Sequence, residues 1–239
     1  LTRSRWSPRW SKVACGWPAR AVRIAALFAY PVKSCGALAL ERAHLGRAGL
    51  QGDRSYAFVG EDGRILTQRE LPRLDSVHPV LEDARLLLDL GDLARVPALG
   101  GDRAVSEFLG VGVRLVAGRF PDVAPVLVAT LASLEALNTR FSSNFRIESF
   151  RPNVVLTGSR PHEETGWAFL ETADARLECE APCERCTVIG EAALRAVHEG
   201  LGGNFGVYCR VAREGSLRIE RALRGRRSGR RWNSWSMPS

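Results

Sequence analysis

Punctuation by glycine and proline is what most limits the folds open to this chain. From residue 21 onward, short apolar runs alternate with turn-forming clusters, and none reaches the ~20 apolar residues of a membrane span. Residues 22–30 are apolar and stop at Pro31, where a strand loses a backbone donor. Residues 49–53 read as a turn and 54–59 as a strand. Gly60-Glu61-Asp62-Gly63 reads as a hairpin turn, with 65–67 continuing on its far side. Residues 77–81 and 84–90 make a further strand pair, so 21–90 is expected to be a small antiparallel sheet domain.

Residues 91–101, rich in Gly and small side chains, read as a linker. A short helix is expected over 103–109 and a strand over 111–116. Leu131, Leu134, Leu137 and Phe141 recur at helical spacing, with Thr130 placed to cap the start. Strands are expected at 154–156, 167–170 and 175–180, and a helix over 191–199 ended by Gly200. Residues 208–211 and 216–219 flank Glu214-Gly215 as a closing hairpin. The fold class is therefore mainly β with helices (α+β): a small sheet domain at 21–90, then a barrel-like domain at 91–219.

A net charge of +8 would suggest a nucleic-acid or membrane partner if it were spread over the fold. It is not. Residues 1–20 carry five basic and no acidic groups, residues 221–239 carry six and none, and the stretch between is net −3. Five of the six Trp residues also lie in those ends. Interleaved Arg and Trp can stack on bases and meet phosphates, but the ends (1–20 and 220–239) are expected to be disordered extensions and nucleic-acid binding is not expected. Residues 1–20 lack the apolar stretch of a signal peptide, and the chain is expected in the cytoplasm. With no export signal, the six cysteines read as thiols rather than a disulfide frame.

The densest reactive cluster is Cys179-Glu180-Ala181-Pro182-Cys183-Glu184-Arg185-Cys186. Cys183 and Cys186 have the spacing of half a zinc site, but the four His residues show no pairing that would complete it. A redox pair and packed structural thiols remain open readings of the same residues. Lys33, Ser34, Arg54, Arg151 and Asn153 sit at element boundaries, where cationic and hydrogen-bonding groups suit a phosphate-bearing ligand. Glycine-rich phosphate loops, dinucleotide fingerprints, nucleophile elbows and HExxH helices are absent from the sequence.

At these residues the chain resembles the two-part family that joins an N-terminal β-barrel domain to a molybdenum-cofactor sulfurase C-terminal (MOSC) domain. Tyr30-Pro31-Val32-Lys33-Ser34-Cys35 resembles its opening motif. Gly52-Asp53-Arg54, Leu66-Thr67-Gln68-Arg69 and Pro72-Arg73-Leu74 follow in order. Phe150-Arg151-Pro152-Asn153, Pro182-Cys183-Glu184-Arg185-Cys186 and Asn204-Phe205-Gly206-Val207-Tyr208 resemble the motifs of the second half. The chain departs after Cys186, where an aspartate–proline turn is missing, and at Ile219-Glu220-Arg221, which replaces a glycine–aspartate turn before the last strand.

The resemblance implies a molybdenum pterin cofactor (Mo-molybdopterin), with Cys186 as catalytic residue and metal ligand and Cys183 beside it. Lys33, Ser34, Arg54, Arg151 and Asn153 would grip the cofactor, with Thr130 offering a hydroxyl. The implied activity is two-electron reduction of an N-hydroxylated substrate, fed by a separate electron-transfer protein because no iron–sulfur domain follows residue 219. A sulfur-carrying protein with a cysteine persulfide, or a non-catalytic member, are the rival readings. The same resemblance brings in pyridoxal phosphate, for which Lys33 alone does not justify a Schiff base.

Overall fold

The computed structural model describes residues 21–93 and 95–227. The expectations for the basic ends at 1–20 and 228–239 lie outside these residues. The chain opens with strands β1 (Ala21–Ala29), β2 (Leu38–Leu40), β3 (Arg42–Gly46), β4 (Gly49–Leu50) and β5 (Tyr56–Val59). There follow β6 (His78–Glu82), β7 (Arg85–Asp89), β8 (Arg95–Pro97), helix α1 (Asp102–Leu109), β9 (Arg114–Ala117), β10 (Val126–Thr130) and α2 (Leu131–Arg140). The remainder is β11 (Val154–Thr157), β12 (Trp167–Glu171), β13 (Arg176–Glu184), α3 (Glu191–Leu201), β14 (Asn204–Arg213), β15 (Gly215–Arg218) and β16 (Ala222–Arg227).

The main sheet closes into a barrel. Its order runs β11-β10-β14-β13-β12-β16-β1, and β1 pairs back with β11, while β2 attaches to the second half of β1. Closure explains the residue pattern of β10, all five of whose residues are buried. Val126 and Val128 point into an interior shared with Ile24, Leu156, Leu170 and Val207, whereas Ala129 faces a second core beneath the helices. A strand buried on both faces needs no alternation with polar residues. The helices α2 and α3 bring Leu137 and Val197 onto Phe150 and Phe205 in that second core. A third core, around Phe58, Leu74, Leu88 and Leu109, includes Val32 and Cys35 from the segment after β1.

Local signals held where they were chemical. Thr130 caps α2, its Oγ1 accepting from the Ser133 amide at 3.1 Å. Gly206, in β14, has φ +82°, and a Cβ there would sit 2.7 Å from the Val128 carbonyl oxygen. Only glycine suits both demands.

Several expectations need correction. Residues 95–97 are not linker: β8 pairs with β7, and Arg95 bonds Asp89 at 2.9 Å. Val96 packs against the third core, which rewards that pairing. The closing hairpin does not form, because both edges of β14 are taken by β10 and β13, and β15 pairs with β3 instead. Gly200 stays inside α3, where a Cβ would press within 2.7 Å of the Phe141 ring; the left-handed stop is Gly202. The hairpin turn at residues 60–63 does form, with the Gly60 amide donating to Arg64 at 3.0 Å and the Leu66 amide to Phe58 at 2.8 Å, but its far side makes one bridge, Val59 to Ile65, and the strand partner of β5 is β9. The last strand is present: β16 lies between β12 and β1, with Leu223 buried, so residues 222–227 belong to the barrel rather than to a tail. The opening strands are divided in the same way, β1 and β2 entering the barrel sheet and β3 pairing with β15.

Candidate functional site

Tyr30, at the end of β1, is fully buried and gathers three separated segments around its ring. Its amide donates to Asp53 Oδ1 at 2.6 Å and its hydroxyl to the Pro152 carbonyl at 3.2 Å. The Arg151 and Arg54 guanidinium carbons lie 4.3 and 5.6 Å from its ring centroid, an arrangement that favours cations held against an aromatic face. Burial pushes the Tyr30 hydroxyl's pKa upward against the pull of Arg151 and Arg54, so it stays a neutral donor. Arg151 also donates to the Cys35 carbonyl at 2.7 Å. Burial drives the Cys35 thiol up to about 12, against Arg151, which favours its thiolate.

Ser34, Arg54 and Arg151 share a backbone property invisible in composition: all have positive φ, at 66°, 49° and 53°. Left-handed backbone costs a non-glycine residue roughly 1–2 kcal/mol, and such strain gathers at functional sites. Arg54 is buried between Asp53 and Asp122. Lys33 Nζ reaches Asp122 at 3.1 Å and the Phe120 and Pro121 carbonyls at 3.4 Å. Burial disfavours the Asp122 carboxylate, but Arg54 and Lys33 outweigh it and hold its pKa below the usual range. Because the Lys33 ammonium is engaged in this way, the arrangement gives pyridoxal phosphate no support.

The cysteine motif lies where β13 ends. Cys183 is buried, and Arg185 Nη1 donates to its sulfur at 2.9 Å while Nη2 donates to the Phe150 carbonyl at 2.8 Å. Arg185 Nε is buried with no hydrogen-bond partner among the described residues. Cys186 is exposed, opening the short 3-10 turn Thr187–Ile189. Burial works against its thiolate, yet the Val188 amide, Arg69 and Arg185 together outweigh that, so its pKa falls below the ordinary thiol value. Arg69 Nη2 stands 3.8 Å from the sulfur. The two thiols of the motif thus differ: one is packed and arginine-bound, the other open and biased toward the thiolate, as a reactive or ligating cysteine needs.

The two clusters are joined through the arginine–proline–asparagine segment. Phe150 stacks on Phe205 with centroids 4.1 Å apart and lends its carbonyl to Arg185, while its neighbour Arg151 holds Tyr30. Asp122 is near enough to influence Arg69, Arg151 and Tyr208 as well as Lys33 and Arg54.

Two expected grip residues are engaged elsewhere. Asn153 is fully buried, accepting from the Leu127 amide at 3.0 Å and donating to the Phe28 carbonyl at 3.2 Å. Thr130 is fully buried, bonded to Ser133 and to the buried carboxyl of Glu164. The sequence alone does not mark Tyr30, Arg69, Asp122 and Arg185 as site residues. Three of them lie within the quoted motifs; Asp122, in a Phe-Pro-Asp loop, carried no signal. Among the described residues no three His, Cys, Asp or Glu side chains cluster to hold a metal ion, and no helix is long and apolar enough to cross a membrane.

Comparison with known proteins agrees with the order of these motifs. The MOSC N-terminal beta barrel domain matches residues 21–105 and the MOSC domain residues 117–224. The human protein named mitochondrial amidoxime reducing component 2 is 26% identical over 85% of this chain and 85% of its own length. A molybdenum cofactor sulfurase of Anopheles gambiae is 28% identical over 80% of this chain and 34% of its own. The crystal structure of the YuaD protein from Bacillus subtilis superposes with a TM-score of 0.50 at 14% identity, covering 85% of this chain and 94% of that one, a likeness of fold. The expected cytoplasmic location is overturned here: the amidoxime-reducing relatives, matched from several vertebrates, carry the word mitochondrial in their names.

Proposed function

The chain belongs to the MOSC family in its two-part form, an N-terminal β-barrel domain followed by the MOSC domain, and from that membership we propose a molybdenum-cofactor oxidoreductase with Cys186 as the metal's protein ligand. The observation that carries the proposal is the exposed, thiolate-favouring Cys186 beside Arg69 and Arg185, with Asp122, which pairs with Lys33 and Arg54, near enough to influence Arg69. A soft thiolate suits a sulfur-rich molybdenum centre, and the cations suit a phosphate-bearing pterin. The unpartnered Arg185 Nε is a donor still to be satisfied in the same region. The residues therefore fit the group.

Lys33, Ser34, Arg54 and Arg151 would hold the cofactor, while Thr130 and Asn153 act by positioning: one fixes the start of α2, the other ties β1 to β10. When bound, the group supplies two-electron chemistry with oxygen transfer. The protein shifts Cys186 toward its thiolate and keeps Arg54 charged, because burial, which opposes the arginine's charge, is outweighed by Asp53 and Asp122. The substrate class is N-hydroxylated amidines and hydroxylamines, whose N–O bond is cleaved with two electrons and two protons and whose oxygen leaves as water. A separate electron-transfer protein supplies the electrons, and the setting is mitochondrial, as in the amidoxime-reducing relatives.

The test is anaerobic reduction of an aryl amidoxime by cofactor-loaded protein with reduced viologen as chemical donor. Wild type should oxidise two viologens per amidine formed, and Cys186→Ser should not. Equal turnover by both proteins removes Cys186 from the reaction. A second reading, a sulfur carrier with a persulfide on Cys186, draws on the same open thiol and on the sulfurase relative. It predicts cyanide-releasable sulfur that disappears in Cys186→Ser.

A further inference from the structure

Two other thiols form a pair that the cofactor reading does not use. Cys179 on β13 and Cys209 on β14 are directly opposed in the ladder, and their sulfurs are 3.5 Å apart. Both are free. Opposed residues of antiparallel strands have Cα atoms about 4.5–5.5 Å apart, within the range a disulfide spans. The sulfurs need approach by only ~1.5 Å to reach bonding distance of ~2.0 Å. The ladder shifts register between Cys179 and Ala181, so β13 has an irregularity beside the pair that can absorb such a movement.

The two cysteines also differ in the way a redox pair requires. Cys209 is fully buried, and its thiol is held protonated by burial first and by its contact with Cys179 second. Cys179 is half-buried at the edge of the barrel core, so an oxidant can reach it. Arg210, ion-paired with Glu178 and Glu180 on either side of Cys179 in the chain, sets a cation next to Cys209 in sequence.

We propose that Cys179 and Cys209 are a redox-active site, a dithiol that hydroperoxides convert to a cross-strand disulfide. The Cys179 sulfur attacks the peroxide O–O bond as its own proton passes to the departing oxygen, giving a sulfenic acid and one water or alcohol. Cys209 sulfur then attacks the Cys179 sulfur, its proton and the sulfenic hydroxyl leaving as water. Hydrogen peroxide thus gains two electrons, the two thiols lose two, and two waters result. The bond ties β13 to β14 one ladder step from Tyr208, whose side chain is hydrogen-bonded to Cys183. The pair stands whether or not Cys186 binds a metal.

The experiment treats the full reduced chain with hydrogen peroxide, caps remaining thiols with iodoacetamide and digests with trypsin without reductant. The expected product links peptide 177–185 to peptide 196–210, with fragmentation placing the bond on Cys179 rather than on Cys183 in the same peptide. Dithiothreitol should restore both peptides. Cys179→Ser and Cys209→Ala should each abolish the link, and Cys186→Ser should leave it. Recovery of Cys179 as a sulfinic acid with Cys209 still alkylated as a thiol, or a link from Cys179 to Cys186, overturns the proposal.

Discussion

Replacing Arg69 by alanine isolates the charge that favours the Cys186 thiolate. The guanidinium nitrogen is 3.8 Å from the sulfur, and both groups face solvent. In water, two unit charges at that separation interact by about 1.1 kcal/mol. Screening at 0.1 M salt, with a Debye length of ~10 Å, reduces this to about 0.7 kcal/mol. The thiolate fraction below the thiol's pKa should therefore fall by roughly three- to sixfold. Iodoacetamide labelling followed at the Cys186 peptide by mass spectrometry reads this directly. Arg69→Ala should be labelled three- to sixfold more slowly than wild type at neutral pH. Arg69→Lys should recover most of the rate, and the difference should shrink in 1 M salt. It should also vanish at a pH above the pKa of Cys186 in both proteins, since the thiolate is then complete in each. An unchanged rate in Arg69→Ala, or a lysine variant as slow as the alanine one, would refute the electrostatic account.

Other consequences concern stability. Glu164 is buried and shares hydrogen bonds with Ser133 and Thr130, and burial raises its pKa above the usual carboxylate value. The folded state therefore holds its proton more tightly than the unfolded state. That contribution is whole below ~4.3, the unfolded value, and is lost as pH rises through the folded one. Urea denaturation from pH 4 upward should show this loss, and Glu164→Gln should flatten it. Asn153→Ala strands the Leu127 amide and the Phe28 carbonyl in the core, and the urea midpoint should report a loss of about 2–5 kcal/mol. Phe150→Ala removes a fully buried ring stacked on Phe205. It should cost about 3–5 kcal/mol by calorimetry or denaturant, and it should also increase alkylation of Cys183 as Arg185 loosens.

The legible parts of the fold were those set by local chemistry. Apolar runs ending at Pro31, the Thr130 cap and the strand pair at β6 and β7 depend on neighbouring residues, and the structure places them as read. What escaped was pairing between distant segments. Nothing in Ser216 or Leu217 says that β15 joins β3, because the deciding fact is that β14 already has two partners. Arg95 and Val96 looked like linker because a three-residue strand has too few positions to show alternation. The ordered motifs mark candidate residues, but not what each one touches. Arg151 and Asn153 sit two apart, yet one lies against Tyr30 and the other is locked between strands. Asp122 has meaning only through Lys33 and Arg54, which lie far from it in the chain.

Of the motif's two thiols, Cys186 alone is proposed to ligate molybdenum. This assignment is tested by the molybdenum and pterin content of this chain purified after cofactor-replete expression, as wild type and as Cys186→Ala, with a thermal melt showing that both are folded. Wild type should carry about one molybdenum and one pterin per chain, and the variant should lose nearly all of the metal. Equal molybdenum in both folded proteins would contradict the assignment.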